Sequence, residues 1–299
     1  MTNTLDKFPK SPELDSLIKH LNELDYRQRR QFLWHRIKPR LPRFLYKFRT
    51  LVPSDATSVD RMRDILVRSR FWLSSPLDFN DPFDTSAKLI AEGTVIEKRR
   101  RLGELLKRQG HTWNERSKLL PNLVSKSNVE LAQLAQKTQR LYAERFGVYS
   151  FGGDPHSILM WSHYASNHNG FCLQFEVAKD LITFTRLVVV QYTDDYPIVN
   201  WMKEAEFLEG LGVTLERKHT GWKYERETRI IIPNAAHEHL SFHPEALRGI
   251  ITGCRVPDVT IGCLRELIAE RSSARLPVPV LYRAIQHESK YRLVIRKEL

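Results

Sequence analysis

Three features of the sequence predict an α+β fold. Short apolar runs bounded by turn residues recur from Phe44 onward, as strands do. A block at 87–146 is rich in Ala, Leu, Gln, Lys, Arg and Glu, which favours helices. The two kinds of segment do not alternate regularly, which argues against a doubly wound parallel sheet.

The elements follow in order. Ser11-Pro12-Glu13 supplies an N-cap, a proline at the first helical position and an acid in the first turn. Leu14, Leu17, Ile18, Leu21 and Leu24 then recur at helical spacing, and Arg27, Arg29, Arg30, Arg36, Lys38, Arg40 and Arg43 follow. Residues 1–43 therefore read as an N-terminal helical extension with a basic end, and 44–299 as an α+β domain. Within that domain, 44–48 and 71–74 are expected strands with a helix over 59–68 between them. The stretch 76–84 is rich in turn residues, and 87–146 reads as a helical insertion. Further strands are expected at 147–151, 170–177, 184–192, 228–232, 249–252, 278–282 and 291–295. Asp154-Pro155 can cap a helix through Ile158, Leu159, Trp161 and Tyr164 that Gly170 stops.

Composition excludes several classes. With 41% hydrophobic and 27% charged residues, neither disorder nor a fibrous repeat is indicated. No apolar run approaches the roughly 18 residues of a spanning helix and no signal-peptide core opens the chain, so no membrane partner and a cytoplasmic location are expected. Cys172, Cys254 and Cys263 lack C-x-x-C spacing, which points to reduced thiols. The excess of 47 Lys+Arg over 35 Asp+Glu, a net +12, produces a field that concentrates polyanions, so DNA or RNA is the expected partner. No G-x-G-x-x-G follows a strand and no P-loop is present.

Four polar clusters stand out. They are Leu45-Tyr46-Lys47-Phe48-Arg49, Asn80-Asp81-Pro82-Phe83-Asp84, Met160-Trp161-Ser162-His163-Tyr164 with His168 and Gly170, and 222–229 from Trp222 to Arg229. Together, from about Phe44 to Gly253, they resemble the bacterial family called domain of unknown function 2971. A more distant resemblance bears on chemistry. Val148-Tyr149-Ser150-Phe151, followed by 155–161, is similar to the central segment of DNA-modifying ADP-ribosyltransferase toxins, and Glu225-Arg226-Glu227 before Ile230-Ile231-Ile232 is similar to the E-x-E element of that superfamily. The resemblance implies a mixed, mainly antiparallel split sheet, NAD as substrate, a role in phage defence or toxicity, and a cognate immunity or antitoxin protein.

Cleavage of the nicotinamide glycosidic bond develops positive charge at the ribose, which a fixed carboxylate stabilises more than it stabilises the neutral sugar. Glu227 is expected to be that carboxylate. In an extended segment Glu225 projects to the same face and can orient or deprotonate an acceptor. The resemblance places Tyr46, Lys47 and Arg49 where the superfamily's first strand contacts NAD, with Ser150, His163 and Tyr164 beside the substrate. Asn80 and Asp84 either shape a turn or bind ribose hydroxyls. The ordinary alternative for 225–229 is a solvated strand face whose charges pair with basic neighbours.

Two other classes remain open from the residues. Asp81, Asp84, Glu225 and Glu227 could hold the metals of a nuclease, although no metal is expected from the spacing of the histidines: His163 and His168 are five apart, and His237, His239 and His243 lack a completing acid or thiol. A non-catalytic nucleic-acid-binding module would rely on surface cations alone. Arg99, Arg100 and Arg101, with Lys98 before them and Lys107 and Arg108 after, are expected to line a path for phosphates.

Overall fold

The apolar runs become strands where alternate side chains find a core. A computed structural model of the chain describes residues 42–203 and 214–298, together with 20, 23–25, 28, 31 and 32. The N-terminal helical extension expected over 1–43 lies almost wholly outside the described residues.

In chain order, the elements begin with β1 (Phe44–Arg49), α1 (Ala56–Leu66), β2 (Arg70–Trp72) and β3 (Lys88–Ile90). Three helices follow, α2 (Val95–Arg108), α3 (Trp113–Ser125) and α4 (Asn128–Ala143). Then come β4 (Gly147–Phe151), α5 (Ile158–Tyr164), β5 (Phe171–Glu176), α6 (Leu181–Phe184), β6 (Leu187–Val189), β7 (Gln191–Thr193), β8 (Ile198–Asn200) and β9 (Arg217–His219). The last are β10 (Thr228–Ile232), β11 (His239–Ser241), β12 (Leu247–Thr252), α7 (Asp258–Ser273), β13 (Val280–Gln286) and β14 (Leu293–Lys297). The protein is of the α+β class. No helix among the described residues is long and apolar enough to cross a membrane.

The chain divides into two compact units. The first comprises Met1–Ser74, Gly147–Val190 and Gly221–Leu299. Its five-stranded sheet has the order β1-β5-β12-β13-β14, antiparallel except where β12 runs parallel to β13, and separate antiparallel sheets are formed by β4-β10-β6 and by β11-β2. An isolated bridge between Tyr46 and Gly152 ties β1 to the end of β4. Phe71 sits at the centre of the core, with its ring stacked 4.3 Å from both Tyr149 and Phe242. Gly253 allows a backbone crossing, since a Cβ there would stand 2.1 Å from the carbonyl oxygen of His168.

Two polar devices fasten this unit. Asp64 on α1 accepts hydrogen bonds from Arg68 and Arg70 and lies 3.1 Å from His239 Nε2. Burial raises its carboxyl, but these partners outweigh that and hold it below the ordinary value. Arg271 on α7 is fully buried, and its guanidinium donates to the carbonyls of Pro277, Leu66 and Pro244 at 2.6, 2.5 and 2.6 Å. Burial lowers that guanidinium to about 10, so it stays charged at neutral pH.

The second unit comprises Ser75–Phe146 and Gln191–Thr220. Helices α2, α3 and α4 each begin with a reciprocal capping box, Thr94 with Glu97, Thr112 with Glu115, and Ser127 with Glu130, which satisfies the donors that a helix start leaves unpaired. Parallel pairs β3–β8 and β7–β9 complete it. Leu89, Leu102, Leu131, Ala135, Val199 and Trp201 are central to its core.

Several expected elements differ. The expected helical block at 87–146 contains strand β3, whose partner β8 lies more than a hundred residues later. The expected strand at 184–192 is broken into α6, β6 and β7, because Asp180 caps a short helical turn by accepting from Thr183 N. Helix α5 is capped by Ser157, while Asp154 instead accepts from His156 N in a local turn. Helix α7 falls in a stretch where no helix was expected. All three cysteines are free; Cys172 is buried and the other two are half-buried.

Candidate active site

The site begins with the alternation of β1. Lys47 and Arg49 are two residues apart on the strand and therefore share a side. Both reach Tyr149 on β4: the Lys47 ammonium lies 4.6 Å and the Arg49 guanidinium carbon 5.8 Å from its ring centroid. Lys47 Nζ also donates to the Ser150 carbonyl at 2.7 Å, so it is the backbone of Ser150 that Lys47 engages. The Arg49 Nε and the Tyr149 hydroxyl are both buried and have no hydrogen-bond partner apart from the contact between the Arg49 guanidinium and that hydroxyl. Burial pushes the Tyr149 phenol up, and the neighbouring Arg49 charge pulls the other way.

Tyr46 points elsewhere. It is buried, its hydroxyl accepts from Gln174 Nε2 at 3.2 Å, and its ring packs in a cluster with Phe48, Met160 and Trp161. The expected open face for a substrate ring is not there. Burial raises its phenol, against the Gln174 hydrogen bond.

The acidic motif departs from the extended geometry expected of it. Glu225 ends a 3-10 turn over Thr220–Glu225, Arg226 adopts a left-handed φ of 47°, and the strand starts only at Thr228. The two carboxylates therefore do not project as neighbours on one strand face. Glu225 is 3% exposed and its Oε1 accepts from the Tyr164 hydroxyl at 2.6 Å. Glu227 is 4% exposed and takes a two-point hydrogen bond from Arg229, Nε to Oε1 at 2.8 Å and Nη2 to Oε2 at 3.1 Å. Arg229 is 0% exposed, so the alternative of a solvated face is overturned as well: the charges are paired inside the protein. Isolated buried pairs contribute little net stability, because desolvation of both ions offsets their attraction.

Backbone contacts join these motifs. Gly152 exchanges hydrogen bonds with Tyr46, and the next residue, Gly153, donates to the Glu225 carbonyl at 3.0 Å. A Cβ on Gly153 would approach Arg226 Cβ to 2.7 Å, so the approach depends on glycine. Through Glu225 the chain of contacts reaches Tyr164 on α5. His163 is exposed, with its ring 6.2 Å from that of Tyr224, which in turn lies 6.0 Å from Trp222. Lys47, Arg49 and the Ser150 carbonyl thus meet around Tyr149 on one side of β1, while Tyr46, on the other side, shares a cluster with Tyr164, whose hydroxyl reaches Glu225.

Other expected residues serve elsewhere. Asn80 and Asp84 belong to the second unit; Asn80 is exposed, and Asp84 is buried with an ion pair to Lys218 at 3.6 Å. Asp81 accepts from Phe83 N, a turn role. His237 and His239 pack beside Trp72, and His243 accepts from Glu245 N. Among the described residues no group of three or more His, Cys, Asp or Glu comes together that could hold a metal ion.

Of the basic run, Arg99, Arg100, Lys107 and Arg108 are exposed on α2, whereas Arg101 turns inward, 4% exposed, with its Nε donating to the Trp201 carbonyl. A second group of cations is absent from the sequence-based reading. Arg265 on α7, Arg283 on β13, and Arg296 and Lys297 on β14 line one hollow of about 630 Å³ in the first unit, together with the acids Asp258 and Glu298. Arg283 and Arg296 are direct cross-strand partners, and like charges so placed repel. The signal was one arginine in each of two apolar strands, unreadable without their register.

Against this geometry stand the comparisons with known proteins. No curated protein and no solved structure matches the chain. Residues 160–230, which run from α5 into β10 and include Tyr164, Glu225, Glu227 and Arg229, match the family described as Protein of unknown function (DUF2971).

Proposed function

We propose that the first unit is an ADP-ribosyltransferase-like enzyme that moves ADP-ribose from NAD to nucleic acid. The observation that carries this reading is the buried pair Arg49 Nε and Tyr149 Oη, which have no partner beyond the contact between their own two side chains, beside the Lys47 ammonium. Buried polar groups are nearly always hydrogen-bonded, and two so sparsely satisfied beside the Lys47 ammonium suit the oxygens of a pyrophosphate. Glu227, oriented by Arg229, stabilises positive charge at the ribose carbon as the bond to nicotinamide breaks. Glu225, hydrogen-bonded to Tyr164, takes the proton of the attacking acceptor. The burial of Tyr46 removes it from substrate contact in this scheme.

The test is incubation of the full chain with NAD and oligonucleotides, read by nicotinamide release and by a mass shift on the oligonucleotide. Both are expected with the native protein. Arg49→Gln weakens NAD saturation, and Glu227→Gln abolishes turnover while NAD still binds. Absence of both nicotinamide release and mass shift, or full activity in Glu227→Gln, refutes the proposal.

The opposed Arg283 and Arg296 favour a second reading, a module that binds phosphate backbone without chemistry. An anion over that hollow relieves the repulsion. Its signature is DNA or RNA affinity that falls steeply with salt and whose slope shrinks by about 2 when both arginines become Gln, since each phosphate contact adds about 0.9 to the slope.

A further inference from the structure

The helical unit contains a cavity that neither reading uses. Its volume is about 350 Å³, and Leu102, Leu105, Leu106, Leu123, Leu134 and Trp201 supply most of its wall. The hollow opens to solvent where Leu134 and Tyr142 are exposed, and ligand pockets start at roughly 300 Å³. Most of the lining is apolar; Arg108 and Gln109 at the end of α2, with Thr138 and Tyr142 on α4, are its residues with polar side-chain groups besides Trp201.

Three observations define an occupant. First, an apolar cavity of roughly 150 Å³ already takes a benzene-sized guest, so this one accepts an apolar body about twice as large. Second, Arg108 is exposed and makes no ion pair among the described residues, although it lines the cavity. The carbonyls of the last turn of α2 are already engaged by Gln109, Gly110 and His111, leaving the guanidinium to a partner from outside. Third, Trp201 is 4% exposed and its indole N–H is buried with no hydrogen-bond partner. Buried indole N–H groups ordinarily find an acceptor.

We propose that this cavity binds a small apolar monocarboxylate, its hydrocarbon body among the leucines and its carboxylate on Arg108. A guanidinium recognises a carboxylate through two parallel hydrogen bonds, which an alcohol of the same length cannot reproduce. The apolar wall gives affinity, and the arginine selects the acid.

The probe is sodium decanoate, titrated into the full chain by isothermal calorimetry below its micellar concentration, with decanol and acetate as comparisons. The native protein binds decanoate saturably with one site, binds decanol at least tenfold more weakly, and does not bind acetate. Arg108→Gln lowers decanoate affinity at least tenfold and leaves decanol unchanged. Leu134→Trp, a substitution at a partly exposed wall position that preserves the fold by circular dichroism, removes binding of both. No saturable decanoate binding by the native protein overturns the proposal. Equal affinity for acid and alcohol, or an unaltered Arg108→Gln, overturns the assignment of the carboxylate to Arg108. Oligonucleotide modification is a separate measurement, so failure of either proposal is distinguishable from failure of the other.

Discussion

Replacing Arg271 by Met tests whether one buried cation joins three separate chain segments. The side chain is fully buried on α7, and it donates to the carbonyls ending α1 (Leu66), opening the 3-10 turn at Pro244 and preceding β13 (Pro277). Hydrogen bonds from a charged donor each contribute about 1.5–3 kcal/mol net, and three from one group are less than additive, which gives a loss of about 4–6 kcal/mol. Met restores much of the aliphatic volume, so the change isolates the polar contacts. That loss is a large share of the roughly 5–15 kcal/mol typical of a folded protein. Urea unfolding followed by tryptophan fluorescence measures it as a lower midpoint at unchanged slope. Arg271→Lys, with a single ammonium, is expected to recover less than half. A loss below about 1 kcal/mol in Arg271→Met refutes the reasoning, since the carbonyls would then be satisfied without the guanidinium.

Further perturbations have defined outcomes. Asp64→Asn removes an acceptor shared by Arg68, Arg70 and His239, and a melt at neutral pH should fall by several degrees. Because the Asp64 carboxyl is depressed in the fold, its contribution is present above the unfolded carboxylate value and is lost as pH falls through the lowered folded one; acid titration of the native and Asn proteins should therefore converge at low pH. Gly253→Ala forces a Cβ against the His168 carbonyl and should cost at least about 2 kcal/mol in urea unfolding, against a few tenths for Gly262→Ala, where nothing lies within 4 Å. Tyr164→Phe deletes the 2.6 Å hydrogen bond to Glu225; a loss of about 1.5–3 kcal/mol in the same assay is expected, and an unchanged midpoint argues that the bond is not formed in solution.

The parts of the fold readable from sequence are those with strong local signals. Apolar runs such as Phe44–Phe48 and Ile230–Ile232 announced β1 and β10, and the Ala- and Leu-rich block announced α2, α3 and α4. Short strands such as β3, β8 and β9 escaped because three residues carry no period, and their pairing depends on distant partners. Helix α7 escaped because its buried stripe, Thr260, Leu264, Leu267 and Arg271, is half polar. The candidate site was readable as a set of motifs but not as a geometry. Nothing in Glu225-Arg226-Glu227 reveals that Arg226 is left-handed, and nothing local predicts that Arg229 closes onto Glu227. Arg101 shows the same limit within a basic run, where one of several equivalent cations packs inward because the helix turns it toward Trp201.

The two-segment composition of the helical unit sets an order on biosynthesis. Chain emerging from the ribosome through residue 146 carries three well-capped helices but lacks the strand that pairs with Lys88–Ile90, which is made only after most of the sheet region 147–190 has appeared. In the interval those helices can form locally while their apolar sides stay unshielded, and the strand Phe44–Arg49 likewise waits for Phe171–Glu176. A nascent chain paused between positions 150 and 170 therefore exposes both unpaired strands at once.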